Sequence, residues 1–320
     1  MVKNKTIFYK PKNRFTFDAS HITRLKRKAL FIINPISGGK AKDGIPALIG
    51  KGIDTSIFDF SIEFTEGAEH ATMLGKKAVD EKYDLVVAVG GDGTINEVAS
   101  ALVNTDVTFG IIPSGSGNGL SRFLDVPMDI EEAIRHLNTG RYEVIDTATA
   151  NNQHFFNMAG FGFDAHIAEV FSKQKARGFF TYAKSAFGEI VKYKPRNYRF
   201  SIDGKKYERS AFMLSLANSS QYGNNAHVSP KASVQDGLLD VCIIKPFSIW
   251  RFPEMAIRMF TKTTDRSEFV EIVRGKHIVV SQLQPGPMHL DGEPFMITED
   301  VEINVIPRSL KIIVGDNYRP

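Results

Sequence analysis

Residues 90–97 read Gly-Gly-Asp-Gly-Thr-Ile-Asn-Glu, directly behind the apolar run Leu85-Val-Val-Ala-Val89 and ahead of a stretch with helical periodicity. Gly90, Gly91 and Gly93 have no Cβ, so the chain can turn through φ > 0 and bring its N–H groups close to an anion. The helix expected from Thr94 adds its positive N-terminal end, and the junction reads as a phosphate cradle. Asp92, a carboxylate among anion-binding amides, suits a metal, ribose or proton-handling role. Two other glycine turns carry polar groups, Asn34-Pro-Ile-Ser-Gly-Gly-Lys40 and Pro113-Ser-Gly-Ser-Gly-Asn-Gly-Leu120. In the first, the Lys40 ammonium could reach a phosphate. In the second, Ser116 and Asn118 offer hydrogen bonds to a phosphate or hydroxyl, or a capped helix start. Two acidic turns complete the set. Asp236 and Asp240, and Asp291 with Glu293, serve equally as turn residues or as hard-oxygen ligands and general bases.

These motifs need elements to hold them. Strands are expected at Leu30–Ile33, Ser56–Ile62, Leu85–Val89 and Val107–Ile112, with helices near 40–50, 67–82 and 94–103. Such βαβ repetition implies a parallel sheet with right-handed crossovers, and all three glycine turns then fall at carboxyl ends of strands, where ligands bind. After Gly140 the pattern turns to strands: Tyr142–Ala150, Phe155–Met158, Tyr198–Ile202, Ala211–Ala217, Leu238–Ile244, His277–Ser281, Val301–Ile306 and Leu310–Val314, with turn signals at Asp203-Gly204, Asp236-Gly237 and Asp291-Gly292. Helices interrupt at 179–191 and 248–260. Their apolar residues are expected to face the core, or alternatively to line a groove for an acyl chain. The fold class is thus an α/β nucleotide-binding domain over 29–145, with 308–320 a candidate to complete it, and a β-rich, sandwich-like domain over 146–307, behind a basic extension at 1–28.

Composition narrows the class. The chain has 320 residues, 42% of them hydrophobic, enough for about two ordinary cores at ~150 residues each. No run approaches the ~18 apolar residues of a membrane span, and no signal peptide opens the chain, so the expectation is a cytoplasmic protein. The single cysteine, Cys242, excludes an internal disulfide or a multi-cysteine zinc site. The net charge of +4 is unevenly spread. Residues 1–28 hold nine Lys/Arg against Asp18, and residues 173–209 hold eleven interleaved with eight Phe and Tyr. Cations beside aromatics suit an anionic membrane surface. Nucleic-acid motif spacings are absent, as are GxxxxGK[ST], GxGxxG and GxSxG.

In their order along the chain, these pieces resemble the diacylglycerol kinase catalytic-domain family, which includes bacterial soluble lipid kinases and sphingosine kinases. The pieces are Asn34-Pro-x-Ser-Gly-Gly-Lys40, Thr65-Glu-x-x-x-His70-Ala, Gly90-Gly-Asp-Gly-Thr94 with Glu97, Pro113-x-Gly-Ser-Gly-Asn118, Gly160-x-Gly-x-Asp164, Asp236-Gly-x-Leu-Asp240 and Asp291-Gly-Glu293. The resemblance implies a phosphofructokinase- or NAD kinase-like nucleotide domain, with ATP near Asn34, Ser37, Lys40, Thr65, Gly91, Gly93, Thr94 and Ser116. It makes Asp291 the base for an acceptor hydroxyl with Asp92 as its rival, Glu293 a metal or supporting group, and Asp236 the holder of a structural Mg²⁺. Asn118 and Asp164 would meet the acceptor. The implied function is an ATP- and Mg²⁺-dependent lipid kinase, peripheral at a membrane, with a homodimer possible and no nucleic-acid partner. The sequence Asn118-Gly119-Leu120, where many bacterial diacylglycerol kinases show Asn-Asp, is closer to sphingosine kinases and leans the acceptor toward a long-chain base. The rivals are a NAD kinase, against which Asp291-Gly-Glu293 and Gly-Ser-Gly-Asn118 argue, and a catalytically idle lipid-binding regulator.

Overall fold

Residues 26–37, 42–172, 188–281 and 285–320 are described by a computed structural model. Lys40, most of the basic extension at 1–28 and most of the expected helix at 179–191 lie outside these residues.

The first half is a three-layer α/β unit. Its strands β1 (Arg27–Ile33), β2 (Phe58–Phe64), β3 (Leu85–Gly90) and β4 (Thr108–Pro113) lie in the order β2-β1-β3-β4, all parallel. Both faces of this sheet are covered, so its strands are apolar throughout rather than alternating. On β1, Leu30 and Ile32 point into one core with Val98 and Leu102, while Phe31 and Ile33 point into the other with Ile49 and Ile134. The first core is roofed by α2 (His70–Asp80) and α3 (Asp92–Leu102), the second by α1 (Ile45–Gly52) and by α5 (Ile130–Leu137), which follows the short α4 (Gly119–Phe123). In α2 the buried residues are Ala71, Leu74 and Ala78, the i, i+3, i+7 stripe that periodicity requires. Asp129 caps α5, which is not among the helices expected from the sequence, by accepting the Glu132 N–H at 3.0 Å.

The second half is a sandwich. One layer holds β7 (Met158–Gly162), β10 (Met213–Ala217), β11 (Leu239–Ile244), β12 (Val270–Gly275), β14 (Gly286–Leu290) and β15 (Glu293–Ile297). The other layer continues the first sheet through β5 (Tyr142–Ala150), β6 (Gln153–Phe155), β8 (Arg196–Ile202), β9 (Lys205–Ala211), β13 (His277–Ser281) and β16 (Val301–Ile313). Phe161, Leu214, Val241 and Met288 of one layer meet Phe200, Ile278 and Ile303 of the other in a dry core. Outside the first layer, α6 (Phe163–Ser172) and α7 (Phe252–Phe260) pack on a further apolar cluster containing Cys242, which is buried.

Two expectations need revision. The segments 301–306 and 310–314 are not separate strands: β16 is continuous, with a bulge between Ile306 and Leu310 where Arg308 has φ 50°. The bulge lets one strand serve both halves, pairing with β13 and β5 and then parallel with β4. The expected strand at 155–158 straddles a break between β6 and β7, because the Phe156, Asn157 and Met158 amides turn away from any ladder and donate to Asp291. By contrast, Asp203-Gly204 and Asp291-Gly292 form the expected two-residue hairpins, with φ of 48° and 82°, and of 49° and 91°.

The bulge is pinned by Asp146, 1% exposed, whose carboxylate accepts the Arg308 and Gly237 N–H groups, each at 2.7 Å. Removing it strands two buried donors. Asp146→Ala should therefore lower the unfolding free energy by on the order of 3 kcal/mol in urea titrations, with Asp146→Asn less damaging.

Candidate active site

The parallel register brings the ends of β1, β3 and β4 to one edge, and there the glycine turns meet. Ser114 N–H donates to the Gly90 carbonyl at 2.7 Å. A Cβ on Gly91 would lie 3.2 Å from Gly115 Cα, and one on Gly115 would lie 2.6 Å from Gly91 Cα. Glycine is needed here for close approach of two turns, since none of Gly90, Gly91 and Gly93 adopts a positive φ. The third turn is tied in by Asn34, whose Nδ2 donates to Thr94 Oγ1 at 3.0 Å while its Oδ1 accepts the Ile36 N–H at 3.1 Å. Ser37, buried, donates its hydroxyl to the Asn34 carbonyl, and Thr65, also buried, is set at the end of β2 by its N–H to Ile33. Lys42, passed over in favour of Lys40, is buried with Nζ donating to the Ser114 carbonyl at 3.4 Å. Only its place beyond the turn could have singled it out.

Asp92 opens α3. Its carboxylate accepts the N–H groups of Asn118 at 2.9 Å and Gly119 at 3.0 Å, one on each oxygen, and so fastens the 115–119 turn to the cradle. Asn118 sits in the left-handed region with φ 50°, and its side chain closes its own turn on the Gly115 N–H and carbonyl. Both of its amide atoms are thus used in shaping the loop, and the side chain gives α4 no capping hydrogen bond. Burial, chiefly, pushes the Asp92 carboxyl up to about 6, with the Asp291 charge adding to the rise and the two amides opposing it.

Asp291 approaches from the other half, on the β14–β15 hairpin. Its Oδ2 accepts Asn96 Nδ2 and the Phe156 N–H, and its Oδ1 accepts the Asn157 and Met158 N–H groups, all at 2.9 Å. Burial raises this carboxyl too, against the pull of those four donors. Two residues on, Glu293 leans over the start of α3: a Cβ on Gly93 would lie 2.2 Å from its Oε1. Three acidic side chains from two layers of the molecule therefore converge beside the amides of a helix N-terminus.

Comparison with known protein families finds a match for each half of the chain. The model of the "Diacylglycerol kinase catalytic domain" matches residues 28–150, and that of the "YegS C-terminal NAD kinase beta sandwich-like domain" matches residues 157–314. The chain belongs to the diacylglycerol kinase catalytic-domain family. A diacylglycerol kinase of Bacillus subtilis (strain 168) is 29% identical over 274 residues, covering 83% of this chain and 90% of that one. One from Staphylococcus aureus (strain bovine RF122 / ET3-1) is 27% identical over 274 residues, covering 84% and 87%. A crystal structure of a diacylglycerol kinase from Bacillus anthracis str. Sterne superposes with a TM-score of 0.71 over 92% of this chain and 98% of that one, at 24% identity, a likeness of fold.

In this member of the family, Asp164 stands at the start of α6 in a buried polar cluster. Its Oδ2 accepts Ser215 Oγ at 2.8 Å, Tyr222 OH at 2.9 Å and His289 Nε2 at 3.3 Å, and its Oδ1 accepts the Ala165 N–H. Because the Gly292 N–H donates to His289 Nδ1 at 3.3 Å, the proton of that imidazole belongs on Nε2, facing Asp164. Ser215, Tyr222 and His289 were not singled out in the sequence: Ser215 reads as part of the 211–217 strand, and Tyr222 and His289 lie outside every expected element. Ser116 is exposed on its turn, with its carbonyl taking Asn224 Nδ2 at 3.3 Å. Asp236 lies well apart from this crevice, in the turn before β11. Its carboxylate caps Leu238 N–H, and its neighbours Asp146 and Asp240 are committed to Gly237 and Arg308, and to Ser229 and Arg274. Among the described residues no three acidic, histidine or cysteine side chains assemble a metal cage, around Asp236 or elsewhere.

The raised Asp92 carboxyl gives a pH test. Its folded value, about 6, lies above the ordinary ~3.9, so the folded state holds a proton that the unfolded chain releases between pH 4 and 6. Wild-type stability should fall, relative to Asp92→Asn, as pH rises through that window without divalent cations, then level off above it. Paired urea titrations from pH 4 to 8 would show a constant difference if the carboxyl were unperturbed.

Proposed function

We propose that the chain is an ATP-dependent lipid kinase that transfers the γ-phosphoryl group to the hydroxyl of a membrane lipid. The observation that carries this reading is the meeting of Asp92, Asp291 and Glu293 at the α3 N-terminus, beside two interlocked glycine turns. The N–H groups of the first turn of α3 have no intrahelical acceptors, and with the helix dipole they suit the phosphates of a nucleotide. Asn34, Ser37, Thr65, Thr94 and Ser116 rim that position, and Lys42 adds a cation behind it. Phosphoryl transfer asks for such positioning and charge neutralisation more than for covalent participation.

The carboxylates also fit Mg²⁺. Such an ion commonly takes one or two protein carboxylates plus substrate phosphates and water, so no closed cage is needed. Glu293 is the side chain we assign to it, where it would neutralise phosphate charge, leaving Asp92 free of the ion.

Hydrogen-bond counting ranks the two candidate bases differently from the family resemblance. A carboxylate offers about four lone-pair sites. All four of Asp291 are matched by donors, whereas Asp92 has two donors and a carboxyl near neutrality. We therefore assign proton acceptance to Asp92: the acceptor O–H gives it the proton as the oxygen bonds to phosphorus and ADP leaves. Asp291 is the positioning residue that holds Asn96 and the 156–158 backbone. The acceptor we favour is a long-chain base or diacylglycerol, presented at a membrane surface.

The test is single-turnover transfer from labelled ATP to a panel of diacylglycerol, long-chain bases, ceramide and NAD. Asp92→Asn should lower the transfer rate by ~10²–10⁴-fold with a smaller loss of stability than Asp291→Asn, since it leaves one N–H donor unmatched rather than several. Asp291→Asn should lose stability along with rate, since an amide presents one acceptor oxygen to four donors. An active Asp92→Asn beside a stable, inactive Asp291→Asn returns the base to Asp291. Transfer to NAD and to no lipid overturns the lipid-kinase reading.

A further inference from the structure

The chain's single tryptophan is also its most exposed large apolar side chain among the described residues, with Trp250 88% accessible. It begins a stripe. Trp250, Pro253, Ile257 and Phe260 follow at i, i+3, i+7 and i+10 along the turn Ile249–Arg251 and helix α7, and all four are exposed, Ile257 at 62% and Phe260 at 49%. The opposite side of α7 is already occupied: Met255 is buried and Phe252 half-buried against the cluster of Phe163, Phe212 and Cys242. The core-facing stripe expected from the sequence therefore exists, and a second apolar stripe faces outward, which a surface helix of a globular protein does not ordinarily carry.

A third row runs beside it. Arg251, Glu254, Arg258 and Lys262 follow at i, i+3, i+7 and i+11, with Glu254 held between the two arginines at 2.9 Å from each. Three cations against one anion leave this row with a charge of +2. An outward apolar stripe with tryptophan at one end and a cationic row alongside is the pattern of a helix lying in the plane of a membrane interface, apolar side among acyl chains and cations at anionic headgroups. The helix is also wired to the crevice. Met259 O accepts the His227 N–H at 3.0 Å, Thr264 Oγ1 donates to His227 O at 2.6 Å, and the loop that His227 closes reaches the Ser116 carbonyl through Asn224.

We propose that the outward stripe of Trp250, Ile257 and Phe260, flanked by Arg251, Arg258 and Lys262, docks the protein on an anionic bilayer. The inference draws its purpose from the lipid-kinase reading, but it is measured without ATP or acceptor and so can fail separately.

Trp250 is its own probe. Vesicles of phosphatidylcholine with phosphatidylglycerol should shift its emission to the blue and protect it from a soluble quencher, less so as salt rises, while pure phosphatidylcholine should do little. Ile257→Glu with Phe260→Glu should weaken sedimentation with those vesicles by at least ~10²-fold, since two apolar side chains are lost from the interface. Ile257→Ala with Phe260→Ala, which leaves the core side of α7 untouched, should give an intermediate loss. Transfer to a short-chain acceptor in solution should be unchanged in both variants. Vesicle binding that leaves Trp250 emission unmoved, or binding equal on neutral and anionic vesicles, overturns the proposal. A blue shift that grows with protein concentration in the absence of lipid also overturns it, and assigns the stripe to a second copy of the chain.

Discussion

One carboxylate holds the two halves in register at the crevice. Asp291 takes Asn96 from the α/β half and three consecutive amides, of Phe156, Asn157 and Met158, from the sandwich half. These donors explain several features at once. The backbone leaves the ladder between β6 and β7, the hairpin tip at Asp291-Gly292 is drawn toward α3, and Glu293 is delivered over Gly93. Hydrogen bonds to an ionised acceptor contribute about twice what neutral ones do, and four on one carboxylate fix its position in every direction. The same four donors oppose the rise that burial gives this carboxyl.

Electrostatics follow from that arrangement. Burial in the crevice raises both carboxyls, and the Asp291 charge adds to the rise at Asp92, a strain that a fold selected for stability alone would avoid. Perturbed carboxyls of this kind, beside unsatisfied helix amides, are a physical signature of a site awaiting charged reactants. The helix dipole of α3 attracts phosphate while the acidic group attracts cations, so one small volume suits a nucleotide and its counterion together. Asp236 shares part of this tension: burial, first, and then Asp240 and Asp146 raise its carboxyl, against the Leu238 amide and Arg274.

How much of this was legible in the sequence depended on whether the signal was local. The parallel strands and the helices between them show in periodicity, because both faces of the sheet are covered and the runs are uniformly apolar. The Asp-Gly hairpins follow from φ > 0, which few residue pairs tolerate. Long-range demands were invisible. Nothing near residue 156 announces that its amide will be claimed by a side chain 135 positions later. The reason for Gly91 and Gly115 was likewise hidden: each makes room for the other, a contact between turns, and neither needs an unusual φ. Ser215, Tyr222 and His289 escaped notice because their partner, Asp164, becomes their neighbour only when β7, β10 and β14 pair.

The 248–260 segment shows the limit of a hydrophobic pattern most clearly. A helix that is apolar on two sides gives the sequence signature of a buried element, and burial of a single side already accounts for its attachment to the sandwich. What separates the sides is the charge row between them, which would be an unmatched expense in a core and is an asset at an interface with anions. Phe252 and Met255 face protein while Trp250 and Ile257 face away, yet all four count alike in any scale of hydrophobicity. The outward side is therefore read from the fold. Its tether to the 221–227 loop, which lies against the Gly117 turn, gives whatever covers that stripe a short path of hydrogen bonds and packing to the glycine turns.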